Sequence, residues 1–255
     1  MAVGESRSAD GSSPGRVVFV ATAGVDIGST IAAGLAASGA GVAWITDATE
    51  PPTTPLPSSV ARIHASFASR SGLERAFAEA SERMGSADQI VHSAMPVAAL
   101  EPEDIVSMSD ERWSTSCRAA MSATLYCLQA AFTLMNQRGG SVVVIGPSLS
   151  LAGAPRLVAL SAAIEGQRGL AKSTARQWGR LGLTVNWIAA APKALSPLFA
   201  KVPLPVKPDP VPVAFGRPLD LQSEVVPVIE FLGSRAGRAM TGATLVLDGG
   251  EWMVP

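Results

Sequence analysis

The chain has 255 residues, of which 47% are hydrophobic and 16% charged, and its formal net charge is -1. Charged residues usually make up about a quarter of a protein, so this composition excludes intrinsic disorder for most of the chain, and the near-neutral balance argues against a general nucleic-acid binder. Two cysteines and two histidines without a C-x-x-C motif predict neither a disulfide framework nor a zinc site. Cys117 and Cys127 are expected to pack as small apolar groups in a reducing cytoplasm.

Neither a secretory signal nor a membrane span is expected near the start of the chain. Residues 1–15 are polar and rich in Ser and Gly, which predicts a disordered tail. The uncharged run 27–46 contains four glycines and changes midway from a helical to a strand-like pattern, so we do not expect it to cross a bilayer. These features favour a cytoplasmic protein.

Strand-like and helix-like segments alternate along the chain. In chain order the predicted elements are strand 16–21, helix 29–38, strand 42–46, helix 73–84, strand 89–94, helix 110–135, strand 141–146, helix 158–181, strand 183–189, helix 223–232 and strand 244–248. Apolar β-branched strands separated by helices are typical of a doubly wound parallel sheet with right-handed crossovers. We therefore predict one α/β domain of Rossmann type over 16–255, with about seven strands flanked by helices.

The segment 192–212 interrupts this alternation. It holds seven of the 19 prolines, several of them at alternate positions. Proline fixes φ and removes a backbone donor, so a stiff extended loop is predicted here rather than a helix.

Several sequence blocks, in order, carry a resemblance to a known family. They are G-G-S-V-V-V-I at 139–145, L-S-A-A-I-E-G-Q-R-G-L-A-K-S-T-A at 160–175, F-G-R-P at 215–218 and T-G-A-T-L-V-L-D-G-G at 241–250. On these blocks the chain resembles a short-chain dehydrogenase/reductase over about residues 16–255. The resemblance implies a Rossmann-type fold and the expectation of an NAD(P) site and a Ser-Tyr-Lys-Asn catalytic set.

The family's glycine turn, T-G-x-x-x-G-I-G, reads A-T-A-G-V-D-I-G at 21–28. Thr22 and Asp26 replace two motif glycines, and only Gly28 remains in place. Those glycines let the backbone approach a diphosphate at the helix N-terminus. We expect Thr22 to crowd the tight turn and the Asp26 carboxylate to accept hydrogen bonds from the local amides, which fills the anion site with the protein's own side chain.

Other positions that contact the cofactor in the family also differ. Ser66 aligns with the acidic residue near the adenine ring, H-S-A-M at 92–95 replaces N-N-A-G, and Ala190-Ala191 replaces P-G. Asp47 lies one place beyond the position that reads a ribose hydroxyl. We therefore predict that NAD(P) binding is lost and assign no cofactor-binding or metal-binding residue.

The catalytic positions differ in the same way. Leu160 and Ile164 align with the family's Tyr and Lys, Pro147 with its Ser and Ala120 with its Asn; the sole tyrosine, Tyr126, lies in another predicted helix. Leu and Ile can neither donate nor accept a proton. We assign no catalytic residue. Of the groups that could substitute, Ser148 is one place off, His92 is expected to be structural rather than a base, and Lys172 lies two helical turns beyond Ile164.

Four basic residues recur at intervals of four along the helix predicted at 158–181: Arg168, Lys172, Arg176 and Arg180. The row is either a solvated helix face or a docking surface for an anionic partner. Such a partner could be an acyl-carrier protein, a coenzyme A thioester or an acidic companion subunit.

Three functions remain open on the sequence. The favoured one is a non-catalytic subunit that assembles with a catalytically competent relative of the same family, so that the chain is not an enzyme on its own. The alternatives are a non-redox enzyme, such as a cyclase, lyase or isomerase, and an atypical NAD(P)-dependent oxidoreductase acting on acyl-CoA or acyl-carrier-protein substrates.

The two long predicted helices also favour assembly. The family packs them into a four-helix interface, which implies a homo- or hetero-oligomer, a dimer or tetramer. The expected interface residues are Met121, Leu125, Leu128, Leu157 and Leu170, interleaved with Ala119, Ala123, Ala162 and Ala163.

Overall fold

The computed structural model describes residues 15–201 and 214–252. Its strands are β1 (Val17–Gly24), β2 (Gly41–Thr46), β3 (Ala61–His64), β4 (Gln89–Met95), β5 (Gly140–Pro147), β6 (Leu183–Ala190) and β7 (Thr244–Leu247). Its helices are α1 (Gly28–Ala37), α2 (Arg70–Met84), α3 (Asp110–Trp113), α4 (Ala119–Met135), α5 (Val158–Trp178), α6 (Pro192–Leu195) and α7 (Val226–Gly233).

The seven strands form one parallel sheet in the order β3-β2-β1-β4-β5-β6-β7. This confirms the predicted doubly wound, Rossmann-type fold. The strand order reverses between β1 and β4, and in such sheets the crevice at the carboxyl ends of these strands is where ligands bind. The candidate site is therefore expected at the ends of β1, β4 and β5.

The central strands are buried on both faces, which explains their continuous apolar sequence. Phe19, Trp44 and Trp187 are among the largest completely enclosed side chains. Strand β3 was not predicted, because only Ile63 of its four residues is buried and it lies at the sheet edge.

The long helix predicted at 110–135 forms, but a π-helical turn at Ser114–Arg118 separates α3 from α4. Such turns are common near functional sites. A second π turn, Leu221–Val225, precedes α7.

The predicted extended loop at 192–212 is wrong for its first half. Pro192 begins α6, and a 3₁₀ turn follows at Pro197–Lys201. Proline fits the first helical position because its missing N–H needs no partner there. The rest of the segment, and residues 1–14 of the predicted tail, lie outside the described residues, so the division into a tail (1–15) and one domain (16–255) stays a prediction.

Within the described ranges, no helix combines the length and apolarity that crossing a bilayer requires.

Candidate functional site

Thr22 lies within β1, paired with Thr46 and Ser93, and not in the turn itself. The predicted crowding of a tight turn by its β-branched side chain is therefore wrong, since an extended strand accommodates threonine well. The Thr22 hydroxyl accepts a hydrogen bond of 3.0 Å from the Trp44 indole N–H. A Cβ on Gly28 would collide with both groups, so the one retained motif glycine is required here by packing.

Asp26 lies at the start of α1, as predicted, and its carboxylate is fully engaged. It accepts hydrogen bonds from the Ser29 N–H (3.0 Å) and hydroxyl (2.8 Å), and from the Thr53 N–H (3.0 Å) and hydroxyl (2.9 Å). Partial burial opposes ionisation, but the four hydrogen bonds outweigh it and lower the pKa of Asp26. The carboxylate is thus anionic at neutral pH.

The loop between β2 and β3 covers the beginning of α1. The Thr54 N–H donates to the Ser29 hydroxyl (3.2 Å), and the Thr30 and Thr54 hydroxyls lie 2.6 Å apart. We call Asp26, Ser29, Thr30, Thr53 and Thr54 the α1 latch. As arranged, these residues do not fit the diphosphate of a dinucleotide, because a carboxylate and a loop occupy the anion position at the helix N-terminus.

The remaining positions predicted to face a cofactor lie around this crevice. Asp47 follows β2 and its carboxylate accepts from the Gly24 N–H at 3.1 Å. Met95 ends β4 and is buried, with its carbonyl accepting from the Val25 N–H at 2.8 Å. Ser66 is exposed after β3, and Ala190 ends β6.

Leu160 and Ile164 are each 1% exposed on the sheet-facing side of α5. Ile164 packs against Gly146 near the end of β5. A Cβ built on Gly146 would lie 3.6 Å from the Ile164 Cγ2 atom. Pro147 ends β5, and Ala120 lies buried in the first turn of α4. The four positions that align with the family's catalytic set are therefore all buried. Leu160 and Ile164 belong to the main core, whereas Ala120 packs in a second apolar cluster with Ala159 and Ala163.

Among the polar side chains at the carboxyl edge of the sheet, Ser148 and Gln167 each have an oxygen without a hydrogen-bond partner among the described residues. Ser148 follows Pro147, is 0% exposed and has a hydroxyl with no hydrogen bond within the described chain. Gln167 of α5 donates its amide to the carbonyls of Ala94 (2.9 Å) and Ala120 (3.2 Å), while its own Oε1 is unpartnered. Sequence reasoning did not single out Gln167; a buried amide in an apolar helical stripe is the signal that could have identified it.

His92 is structural, as expected. Its Nδ1 lies 2.8 Å from the Ala21 carbonyl and its Nε2 3.0 Å from the Thr124 hydroxyl, and its ring stacks on Phe67. Because a carbonyl only accepts, Nδ1 carries the proton and Nε2 accepts from Thr124. Complete burial lowers the pKa of His92 to about 4, so the ring is neutral at physiological pH.

Cys117 and Cys127 are buried free thiols, in agreement with the sequence prediction. Burial raises the pKa of Cys127. Among the described residues, no group of three or more His, Cys, Asp or Glu side chains could hold a metal ion.

The basic row on α5 divides into two parts. Arg168 is half-buried and pairs with Glu165. Lys172 and Arg176 are exposed, as is Arg180 just beyond the helix, and none of the three has an ion pair with another described residue. Three unpaired cations at intervals of four residues form one positively charged strip.

A family model described as "Enoyl-(Acyl carrier protein) reductase" matches residues 22–251. The chain belongs to the short-chain dehydrogenase/reductase family.

Among its relatives, the 3-oxoacyl-[acyl-carrier-protein] reductase of Escherichia coli is 26% identical over 255 residues, covering 94% of this chain and 98% of that protein. The trans-4-hydroxycyclohexanecarboxylate dehydrogenase of Sinomonas cyclohexanicum is 28% identical, covering 67% of this chain but only 62% of that enzyme's length. A 3-ketoacyl-(acyl-carrier-protein) reductase of Brucella melitensis, solved in complex with NADH, superposes with a TM-score of 0.74 at 16% identity, over 92% of this chain and 98% of that chain.

These comparisons correct two sequence-based predictions. The prediction of a non-catalytic subunit is wrong, because the matched family is described as a reductase and the relatives carry reductase and dehydrogenase names. The prediction that NAD(P) binding is lost is contradicted by the same match to a reductase family over residues 22–251. Both predictions gave individual substitutions more weight than the similarity of the whole chain.

Proposed function

We propose that this protein is an NAD(P)-dependent oxidoreductase that acts on an acyl thioester, carried by coenzyme A or by an acyl-carrier protein. The observation that carries the proposal is the match to a reductase family over residues 22–251. The alignment of the Escherichia coli acyl-carrier-protein reductase with 94% of the chain supports the same substrate class. The dinucleotide, when bound, supplies or accepts the hydride.

The strip formed by Lys172, Arg176 and Arg180 supports a substrate with an anionic carrier. Acyl-carrier proteins are acidic, and coenzyme A bears phosphates, so both are attracted to exposed arginine and lysine side chains. The strip lies on α5, the helix that also brings Leu160 to the carboxyl edge of the sheet. Lys172 is 12 residues beyond Leu160, so the strip begins about 18 Å from that edge, and in this proposal the acyl group on its carrier arm spans this distance.

The route that we propose does not use a tyrosine–lysine pair, because Leu160 and Ile164 carry no proton-transfer group. Ser148 is proposed to hold the substrate oxygen: its hydroxyl is buried, unpartnered and adjacent to the end of β5. Gln167 is a positioning residue, since its amide ties α5 to the carbonyls of Ala94 and Ala120. The proton comes from solvent in this scheme.

Entry of a dinucleotide requires the α1 latch to open. The hydrogen bonds between Asp26 and Thr53 hold the loop between β2 and β3 over the helix N-terminus. With the latch open, the first backbone amides of α1 would hold the diphosphate.

We further propose that the protein forms a homodimer or a tetramer through α4 and α5. The predicted interface is only partly available, because Leu128 and Leu157 are buried in the chain's own core and Met121 packs on Gly166. Leu125, 40% exposed, remains on the outer face. The expected cytoplasmic location stays a prediction.

The proposal is tested with the purified full chain. We expect oxidation of NADH or NADPH to depend on acetoacetyl-CoA or crotonyl-CoA, followed through the absorbance of the reduced nicotinamide. Ser148→Ala should lower kcat at least about tenfold, because it removes the hydrogen bond to the developing charge. Ser150→Ala, in the same turn, is the matched control and should leave kcat unchanged. Absence of turnover with both thioesters and both dinucleotides contradicts the proposal.

A further inference from the structure

Three buried polar side chains form a row across the amino ends of β4, β5 and β6. Gln89, Ser141 and Thr184 are paired in register on adjacent strands, so their side chains share one face of the sheet. They are 0%, 4% and 7% exposed. Each has an oxygen without a hydrogen-bond partner within the described residues: Gln89 Oε1, Ser141 Oγ and Thr184 Oγ1. Buried polar atoms normally have hydrogen-bond partners, so this row of oxygens indicates a partner from outside the chain.

Ser141 and Thr184 line a cavity of about 90 Å³. Its wall also includes Gly139 and Gly140 at the start of β5, and Leu232 and Gly233 at the end of α7. Gly233 is needed for this space, because a Cβ there would lie 2.5 Å from the Gln89 side-chain oxygen. The cavity is large enough for a small tetrahedral ion. Ser141 and Thr184 in its wall carry buried, unpartnered hydroxyls, which rotation about χ1 can turn towards the cavity.

The rim of the cavity is positively charged. Arg138 and Arg238 both line it, and Arg238 is exposed with no ion pair to another described residue. Asp88, the one carboxylate of the rim, accepts from the Val17 N–H at 2.9 Å and lies 4.0 Å from Arg138. Two guanidinium groups and one carboxylate give the rim a net charge of about +1, which favours an anion.

We propose that this cavity binds a phosphate-like oxyanion, either free phosphate or a phosphate monoester. The Ser141 and Thr184 hydroxyls donate to the anion from inside, and Arg138 and Arg238 pair with it at the rim. Gln89 does not line the cavity, and its Oε1 accepts from a bound water. We call this the amino-edge site.

The amino-edge site is separate from the candidate functional site. Ser141 is the second residue of β5, and Pro147 ends the same strand at the opposite edge of the sheet. Six residues of strand span about 20 Å. The inference therefore does not depend on the proposed oxidoreductase activity.

The test is calorimetric titration of the full chain with inorganic phosphate and, separately, with phenyl phosphate, at constant ionic strength maintained with potassium chloride. We expect inorganic phosphate, phenyl phosphate or both to bind. The titration that gives binding shows whether the site takes the free ion or a phosphate monoester. Ser141→Ala and Arg238→Gln should each weaken this binding roughly tenfold or more, since each removes a hydrogen bond to a charged ligand.

Arg235→Gln is the matched control, because Arg235 is exposed one turn away and does not line the cavity. It should leave the affinity unchanged. Removing an unpartnered hydroxyl costs little stability, so Ser141→Ala should unfold at the same denaturant concentration as the parent when phosphate is absent. Failure of both probes to bind, or binding that Ser141→Ala and Arg238→Gln leave unchanged, overturns the proposal.

Discussion

The Asp26 carboxylate accepts hydrogen bonds from both the backbone N–H and the hydroxyl of Thr53, at 3.0 Å and 2.9 Å. These bonds join two segments that are 27 residues apart and fix the loop between β2 and β3 over the start of α1. The anion position of a dinucleotide fold is thereby occupied from within the chain. In the proposed function, nucleotide binding therefore requires this loop to open.

Asp26→Gly should tighten the binding of NADH or NADPH. The substitution removes a negative charge from the diphosphate position and releases Thr53, and we expect roughly tenfold or greater tightening. Titration calorimetry on the full chain measures it. Glu50→Gln, in the same loop, is the control and should have little effect; equal or weaker binding by the Asp26 variant would count against the linkage.

Lys172→Glu should raise KM for an acyl-CoA substrate roughly tenfold with little change in kcat, because the strip on α5 attracts the carrier and does not touch the reacting atoms. The effect should shrink as salt is added, since exposed charges are screened. Arg75→Glu makes the same charge change on α2, where Arg75 is exposed. If both variants behave alike, the strip is not the docking surface.

His92 should make the folded state sensitive to mild acid. Its pKa of about 4 in the folded protein lies below the ordinary value of 6.5, so the unfolded chain binds more protons between these values. This contribution to stability is present above pH 6.5 and is lost as the pH falls towards 4, by about 3 kcal/mol at most.

His92→Gln should therefore flatten the pH dependence of the free energy of unfolding over this range, as measured by urea denaturation. His64→Gln, which removes the exposed histidine, is the matched control. A pH profile that is identical in the parent and the His92 variant would refute the structural role assigned to this ring.

Ile164→Lys should destabilise the fold by about 3 kcal/mol or more. The side chain is 1% exposed, so a lysine there is either a buried charge or a neutral amine without a partner. Ile105→Lys is the matched control, since Ile105 is 66% exposed and should tolerate the change. Equal denaturation midpoints for the two variants would show that the Ile164 position is open to solvent.

The fold could be predicted from the sequence because the alternation of buried strands and amphipathic helices determines a doubly wound sheet. The capping role of Asp26 was also predictable, since a carboxylate at a helix start has amides within reach. Thr53 could not be found this way, because its contact with Asp26 depends on the path of a loop.

Other features depend on tertiary context. Strand β3 has a single buried residue, so its pattern is too weak to identify. The Gln167 side-chain amide donates to the carbonyls of Ala94 and Ala120, and this role becomes visible only in the folded chain, where the two carbonyls lie next to it. The non-catalytic interpretation was wrong because it inferred the whole function from a few positions, whereas the family match extends over 22–251.

The most direct measurement is hydride transfer itself. The purified chain is incubated with NADPH or NADH deuterated at the transferable C4 position and with acetoacetyl-CoA or crotonyl-CoA, and the acyl product is analysed by mass spectrometry. Our account predicts that one deuterium appears in the acyl chain, at a rate that increases in Asp26→Gly. Unlabelled acyl chains with both dinucleotides, in the parent and in this variant alike, would contradict it.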